Sequence, residues 1–94
     1  MALARVVTFD GVSRERIDEL ERQMREGEPP AEFPASELLV LHDAEAERSL
    51  VVVFFENEDD YRRGDEVLNS MPAEDTPGQR TSVARYDVAI RMTP

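Results

Sequence analysis

The chain has 94 residues and a mass of 10.7 kDa, which suits one domain that buries somewhat above roughly 60% of its unfolded surface around a modest core. Its 21 acidic and 11 basic residues give a formal net charge of −10, a field that repels phosphate backbones and anionic membrane surfaces and disfavours nucleic acid as a partner. There is no cysteine, hence no disulfide framework and no thiolate metal site, and the opening MALARVVTFD lacks the pattern of a signal peptide; with no segment long enough to span a bilayer, the expected location is the cytoplasm.

Leu3 to Phe9 joins Val6, Val7 and Phe9 to the β-favouring Thr8 and stops at Asp10-Gly11, the pattern of a strand and a turn. Ser13 is placed to cap a helix over Arg14 to Glu26, with Val12 and Ile17 as a hydrophobic staple and Gly27 as a left-handed stop. Its apolar positions Ile17, Leu20 and Met24 form a narrow stripe that can cover a surface but not be surrounded. Gly27 to Ser36 holds three prolines and reads as an extended connector, with Phe33 as an anchor into the core. Glu37 to Asp43 is a second strand. If a four-residue loop joins Asp43 to Arg48, the hairpin register sets His42 opposite Ser49 and Leu41 opposite Leu50.

Ser49 to Phe55 is apolar on both sides, with Leu50, Val52 and Phe54 alternating against Val51, Val53 and Phe55, so both faces of the sheet must be dry there. Asn57 caps a second helix whose first turn, Glu58, Asp59 and Asp60, sets negative charge on the positive end of the helix dipole. Tyr61, Gly64, Leu68 and Met71 make its apolar face, with Val67 beside it. Gly64 costs about 1 kcal/mol relative to Ala inside a helix, so it marks a close approach of the helix to the sheet. Met71-Pro72 ends the helix, PAEDTPGQ is a loop, and Thr81 to Arg91 is the last strand, with Ala84, Tyr86, Val88 and Ile90 dry and Arg85, Asp87 and Arg91 polar.

The order βαββαβ predicts an α+β, ferredoxin-like domain spanning 1–94: a four-stranded antiparallel sheet whose right-handed crossovers place both helices on one face. The other face is then bare and apolar. The economical cover is the same face of a second chain, in a symmetric homodimer burying on the order of 1,600 Å². Which parity of Ser49 to Phe55 meets the helices and which meets the partner is left open by a strand that is dry on both sides.

The opening ARVVTFDGVSRERIDELERQ, the hairpin and helix ELLVLHDAEAERSLVVVFFENEDDYRRGDEVLNSM and the closing TSVARYDVAI together resemble the dimeric α+β barrel superfamily, and within it the antibiotic biosynthesis monooxygenase-like proteins. The resemblance covers nearly the whole chain. It implies paired sheets forming a barrel, with a ligand cavity between each sheet and its own helices. Relatives of this kind include cofactor-independent oxygenases of aromatic or polyketide-like substrates and haem-degrading oxygenases. The tryptophan both groups use is missing here, as are the first-strand asparagine and helical histidine of the haem-degrading ones, so their active sites do not carry over residue by residue.

Four polar residues remain as candidates for chemistry. His42 could serve as a base, since an unperturbed imidazole titrates near neutrality; a lone histidine at a strand end is more often a half-exposed cross-strand partner. Tyr61 and Tyr86 could line a cavity, although tyrosines commonly sit in the core with the hydroxyl at the rim. Arg85, with Arg5 on a neighbouring strand, could grip an anion, and an ion pair with Asp87 or with a partner's carboxylate is the plainer use. No metal-ligand spacing, phosphate loop or nucleophile triad is present, and no cofactor is expected. Two readings stand: a homodimeric module binding a small apolar ligand without a catalytic constellation, or a cofactor-independent monooxygenase-like enzyme. A sensor domain of a transcription regulator is disfavoured by the absence of a DNA-binding segment.

Overall fold

A run that is apolar on both sides belongs inside a sheet, and Arg48–Phe55 (β3) lies there, paired on one edge with Glu37–Asp43 (β2) and on the other with Leu3–Asp10 (β1). Gln79–Asp87 (β4) pairs with the free edge of β1, giving a single antiparallel sheet of order β2-β3-β1-β4. Helices Arg14–Glu26 (α1) and Glu58–Asn69 (α2) complete the βαββαβ order of a ferredoxin-like α+β domain. The computed structural model describes residues 2–27, 34–70 and 78–92. Phe33 and most of the loop after α2 lie outside those residues, as does Met71.

The local signals act as expected at most boundaries. Ser13 Oγ accepts from the Arg16 amide at 3.1 Å, and Ile17 packs on the cluster of Val7, Phe9 and Val12, which completes the staple. Asn57 Oδ1 accepts from the Asp60 amide at 2.8 Å. The β2–β3 loop is four residues, with Asp43 Oδ1 accepting from the Glu45 and Ala46 amides and Glu47 at φ 51°, and the register sets His42 opposite Ser49 and Leu41 opposite Leu50. Gly27 departs from expectation. It is extended, at φ −88°, and not left-handed; its amide still closes the helix on the Gln23 carbonyl, where a Cβ would stand 2.9 Å from that oxygen.

The last strand is shorter than its alternation suggested, ending at Asp87 rather than Arg91. The cause is its partner: β1 begins at Leu3, which faces Asp87, and one further bond from the Val88 amide to the Ala2 carbonyl exhausts the edge. Beyond it the chain leaves β4 and reaches to the other side of the sheet, where Arg91 donates to Glu37 Oε2 and stands 5.2 Å from the centroid of the Phe54 ring.

The open question of parity has a definite answer. On β3 the odd residues Ser49, Val51, Val53 and Phe55 face the helices, opposite Phe9, Val7, Arg5 and Leu3 of β1. Leu3, Val53, Phe55 and Tyr61 form one cluster beneath α2, joined by Leu68; Val7, Phe9 and Val12 form the other, near the start of α1. Gly64 sits where the sequence placed it, directly over the Phe55 ring. The even residues Leu50, Val52 and Phe54 share the opposite face with Val6, Thr8, Leu39, Leu41, Ala84 and Tyr86. No described helix covers that face. Its Leu39, Leu41 and Tyr86 are exposed large hydrophobic side chains.

Candidate functional site

Alternation along β1 sends Arg5 into the layer between sheet and helices, between Leu3 and Val7. A charge there needs partners, and α2 supplies them: Arg5 Nε donates to Asp65 Oδ1 at 2.8 Å and Nη2 to Asn69 Oδ1 at 3.0 Å. Tyr61, Asp65 and Asn69 recur every four residues and so line one edge of α2. Asn69 Oδ1 also accepts from Arg80 Nη1 at 3.0 Å, and its amide group donates to Asp65 Oδ2. The network fastens the last turns of α2 to β1 and β4. The sequence had a usable signal, since a helical carboxylate beside the Gly64 and Leu68 stripe is the natural counter-ion for a strand arginine.

Arg85 stands opposite Arg5 in the sheet. The expected pair with Asp87 does not form; Arg85 Nη2 instead donates to Glu58 Oε1 at 3.3 Å, because residues two apart on a strand share a face but α2 brings a carboxylate closer. Its guanidinium lies 5.0 Å from the Tyr61 ring centroid, and Tyr61 meets Phe55 edge to face at 5.3 Å. Burial raises the Tyr61 phenol above its ordinary pKa, as does Asp65, while Arg5 and Arg85 pull it back. Tyr61 and Arg85 are thus the two sequence candidates that the fold unites. Each is already committed to core packing or an ion pair.

The other two stand apart. Tyr86 is on the helix-free face, more than half exposed. His42 is on the helix side but at the far end of the sheet, its Nδ1 2.8 Å from Ser49 Oγ. Its Nε2 is buried with no hydrogen-bond partner among the described residues. Whichever way the proton between Nδ1 and Oγ is shared, the pair is inward: Ser49 is buried and presents no nucleophile to a substrate. A general base needs the substrate within reach. His42, Tyr61, Tyr86 and Arg85 do not converge on one space.

One of the spaces in the fold is mainly apolar. The α1 stripe of Ile17, Leu20 and Met24 is too narrow to seal against β2, and no residue of α1 is fully buried. The result is a cleft of about 300 Å³ between these three and Val40, with Glu21 and Arg25, themselves paired at 2.7 Å, at its lip. Its volume is at the lower end of the range for small-molecule sites, which are mostly apolar with few polar groups. The sequence marked the stripe as a cover; that three apolar positions on thirteen residues leave a gap was the signal for a cleft. A second recess, of about 410 Å³, opens at one end of the sheet among Thr8, Leu41, His42, Asp43, Arg48 and Leu50. Among the described residues no group of three His, Asp or Glu side chains could hold a metal ion, and no helix is long and apolar enough to cross a membrane. No protein-family model matches this chain, and neither a curated protein nor a solved structure matches it.

Proposed function

We propose that the chain works as a homodimeric binding module, in which two copies meet through the helix-free faces of their sheets and each holds a small apolar ligand in the cleft between α1 and β2. One observation carries the dimer: Val6, Leu39, Leu41, Leu50, Val52, Phe54 and Tyr86 lie on one face with no described helix over them. Left in water, a contiguous patch of that size is an aggregation hazard. Among the described residues two ion pairs, Asp10 with Arg48 and Glu37 with Arg91, border it and Asp43 stands at one end, so most of the carboxylates that two chains of net charge −10 would bring together there are already paired. The cleft supports the ligand, and the dispersal of His42, Tyr61, Tyr86 and Arg85 supports binding over catalysis.

Light scattering at micromolar concentration tests the first half, with twice the 10.7 kDa chain mass expected. The neutral fluorophore N-phenyl-1-naphthylamine tests the second: saturable binding that Val40→Phe weakens at least tenfold by filling the cleft. A chain that stays monomeric refutes the dimer, and a fluorophore that Val40→Phe leaves undisturbed refutes the cleft.

A further inference from the structure

The cleft between α1 and β2 has two unlike ends. At one, Ile17 both lines the cleft and packs on the cluster of Val7, Phe9 and Val12, so the space stops against the core. At the other, Arg25 stands at the mouth with Glu21 drawn to it at 2.7 Å, the two side chains 78% and 56% exposed. Between the ends Leu20 and Met24 face Val40, and no further polar side chain lines the cleft.

Its dimensions follow from the helix that walls it. From Ile17 to Arg25 the axis rises roughly 12 Å, and a volume of about 300 Å³ over that length leaves a mean cross-section of roughly 25 Å². Methylene groups keep about 4 Å from their neighbours, so one file of them occupies roughly 16 Å² and two files roughly 32 Å². The cleft takes one file. Bonds of about 1.5 Å at angles of about 111° advance about 1.25 Å each, so a chain of about eight carbons with its head group spans the length.

The mouth carries no net charge, because Glu21 and Arg25 neutralise each other. Together they offer a carboxylate that accepts and a guanidinium that donates, and a hydroxyl, which does both, meets them without breaking the pair. A carboxylate would have to displace Glu21 from Arg25, against the field of a chain of net charge −10. An ammonium would have to displace Arg25 from Glu21.

We infer that the ligand is an unbranched aliphatic alcohol of about eight carbons, its chain laid along Ile17, Leu20 and Met24 against Val40 and its hydroxyl at the mouth beside Glu21 and Arg25. The inference rests on the cleft proposed above as the ligand site, and it adds the shape and the head group of what is bound.

Competition with N-phenyl-1-naphthylamine on the full chain tests it. Straight-chain alcohols from butan-1-ol to octan-1-ol should displace the fluorophore with an affinity that rises roughly fourfold for each added methylene. 2-Ethylhexan-1-ol, octanoate and octylammonium, which share the carbon number but not the shape or the head group, should bind at least tenfold more weakly than octan-1-ol. Arg25→Gln, at an exposed position, leaves Glu21 unpaired at the mouth and should tighten octylammonium at least threefold, whereas Arg22→Gln, the same charge change away from the cleft, should not. If the fluorophore fails to bind, or binds undisturbed by Val40→Phe, the cleft and the alcohol fall together. If it binds in the cleft but octan-1-ol does not displace it, or any of the three eight-carbon competitors displaces it equally well, or Arg25→Gln acts no more strongly than Arg22→Gln, the alcohol is refuted and the cleft stands.

Discussion

Replacing Gly64 by alanine isolates the contact that seats α2 on the sheet. An ideal Cβ at Gly64 falls 2.3 Å from Phe55 Cε1 and 2.5 Å from Cζ, whereas carbon atoms in contact settle at about 3.5–4.0 Å. The Phe55 ring is fully buried, held by Leu3, Val53 and the edge-on Tyr61 ring, and has no free direction in which to move. The helix must therefore lift by more than about 1 Å, which also stretches the bonds from Arg5 to Asp65 and Asn69. Overpacking of this kind costs about 3 kcal/mol at its upper range. Alanine recovers about 1 kcal/mol through helix propensity. The net expectation is a loss of about 2 kcal/mol, which at a urea dependence of about 1.5 kcal/mol per molar lowers the midpoint by about 1.3 M. Far-UV circular dichroism at one fixed protein concentration measures it, since the proposed dimerisation would make the midpoint concentration-dependent. Phe55→Leu in the same chain should relieve part of the clash, so the double variant should lose less than the sum of the singles. A Gly64→Ala chain as stable as the native one would mean that α2 does not rest on Phe55.

Three further outcomes follow from the same geometry. Asp65→Ala leaves the buried Arg5 guanidinium with only Asn69 and should cost about 2 kcal/mol, of which the Arg5→Met/Asp65→Ala pair should regain at least half, measured by the same urea titration. The raised pKa of Tyr61 means that the folded state holds its proton more tightly than the unfolded chain; the associated stability is complete below the ordinary tyrosine value of about 10 and is lost as pH rises through the folded value, so native melting temperatures should fall more steeply above about pH 10 than those of Tyr61→Phe. Val52→Glu sets a charge at the centre of the open face, beside Val6 and Leu39, and should give a folded 10.7 kDa monomer by light scattering, against the dimer proposed for the native chain; an unchanged dimeric mass would refute the proposed interface.

Much of this fold was legible in the chain because its local signals are strong. Ser13 and Asn57 cap where hydroxyl and amide side chains should, and the length of the Ala44–Glu47 turn fixed the hairpin register. The parity of β3 was not legible, since Leu50, Val52 and Phe54 are as apolar as Val51, Val53 and Phe55 and alternation carries no information in a strand dry on both sides. It is decided by tertiary contacts, Gly64 on Phe55 and Arg5 under Asp65. The end of β4 was misread for a related reason. Val88 and Ile90 continue a strand pattern, but a strand extends only as far as its partner, and β1 ends 84 positions earlier in the chain, at Leu3 opposite Asp87. Among the candidate site residues, their types were legible and their convergence was not: Tyr61 and Arg85 meet only because α2 crosses over β1 and β3, a packing fact that no spacing in the sequence encodes.

The position of β1 at the middle of the sheet governs the order in which the chain can mature during synthesis. Made first, it is bonded on one side to β3 and on the other to β4, with Leu3 facing both Phe55 and Asp87. The β2–β3 hairpin closes over a four-residue turn and can form as soon as it emerges, whereas β1 must wait for it and then for the last strand. Until Asp87 has left the ribosome one edge of the central strand stays unpaired, carrying Val6, Val7 and Phe9, and the nascent chain is at its most vulnerable to misassociation in that interval.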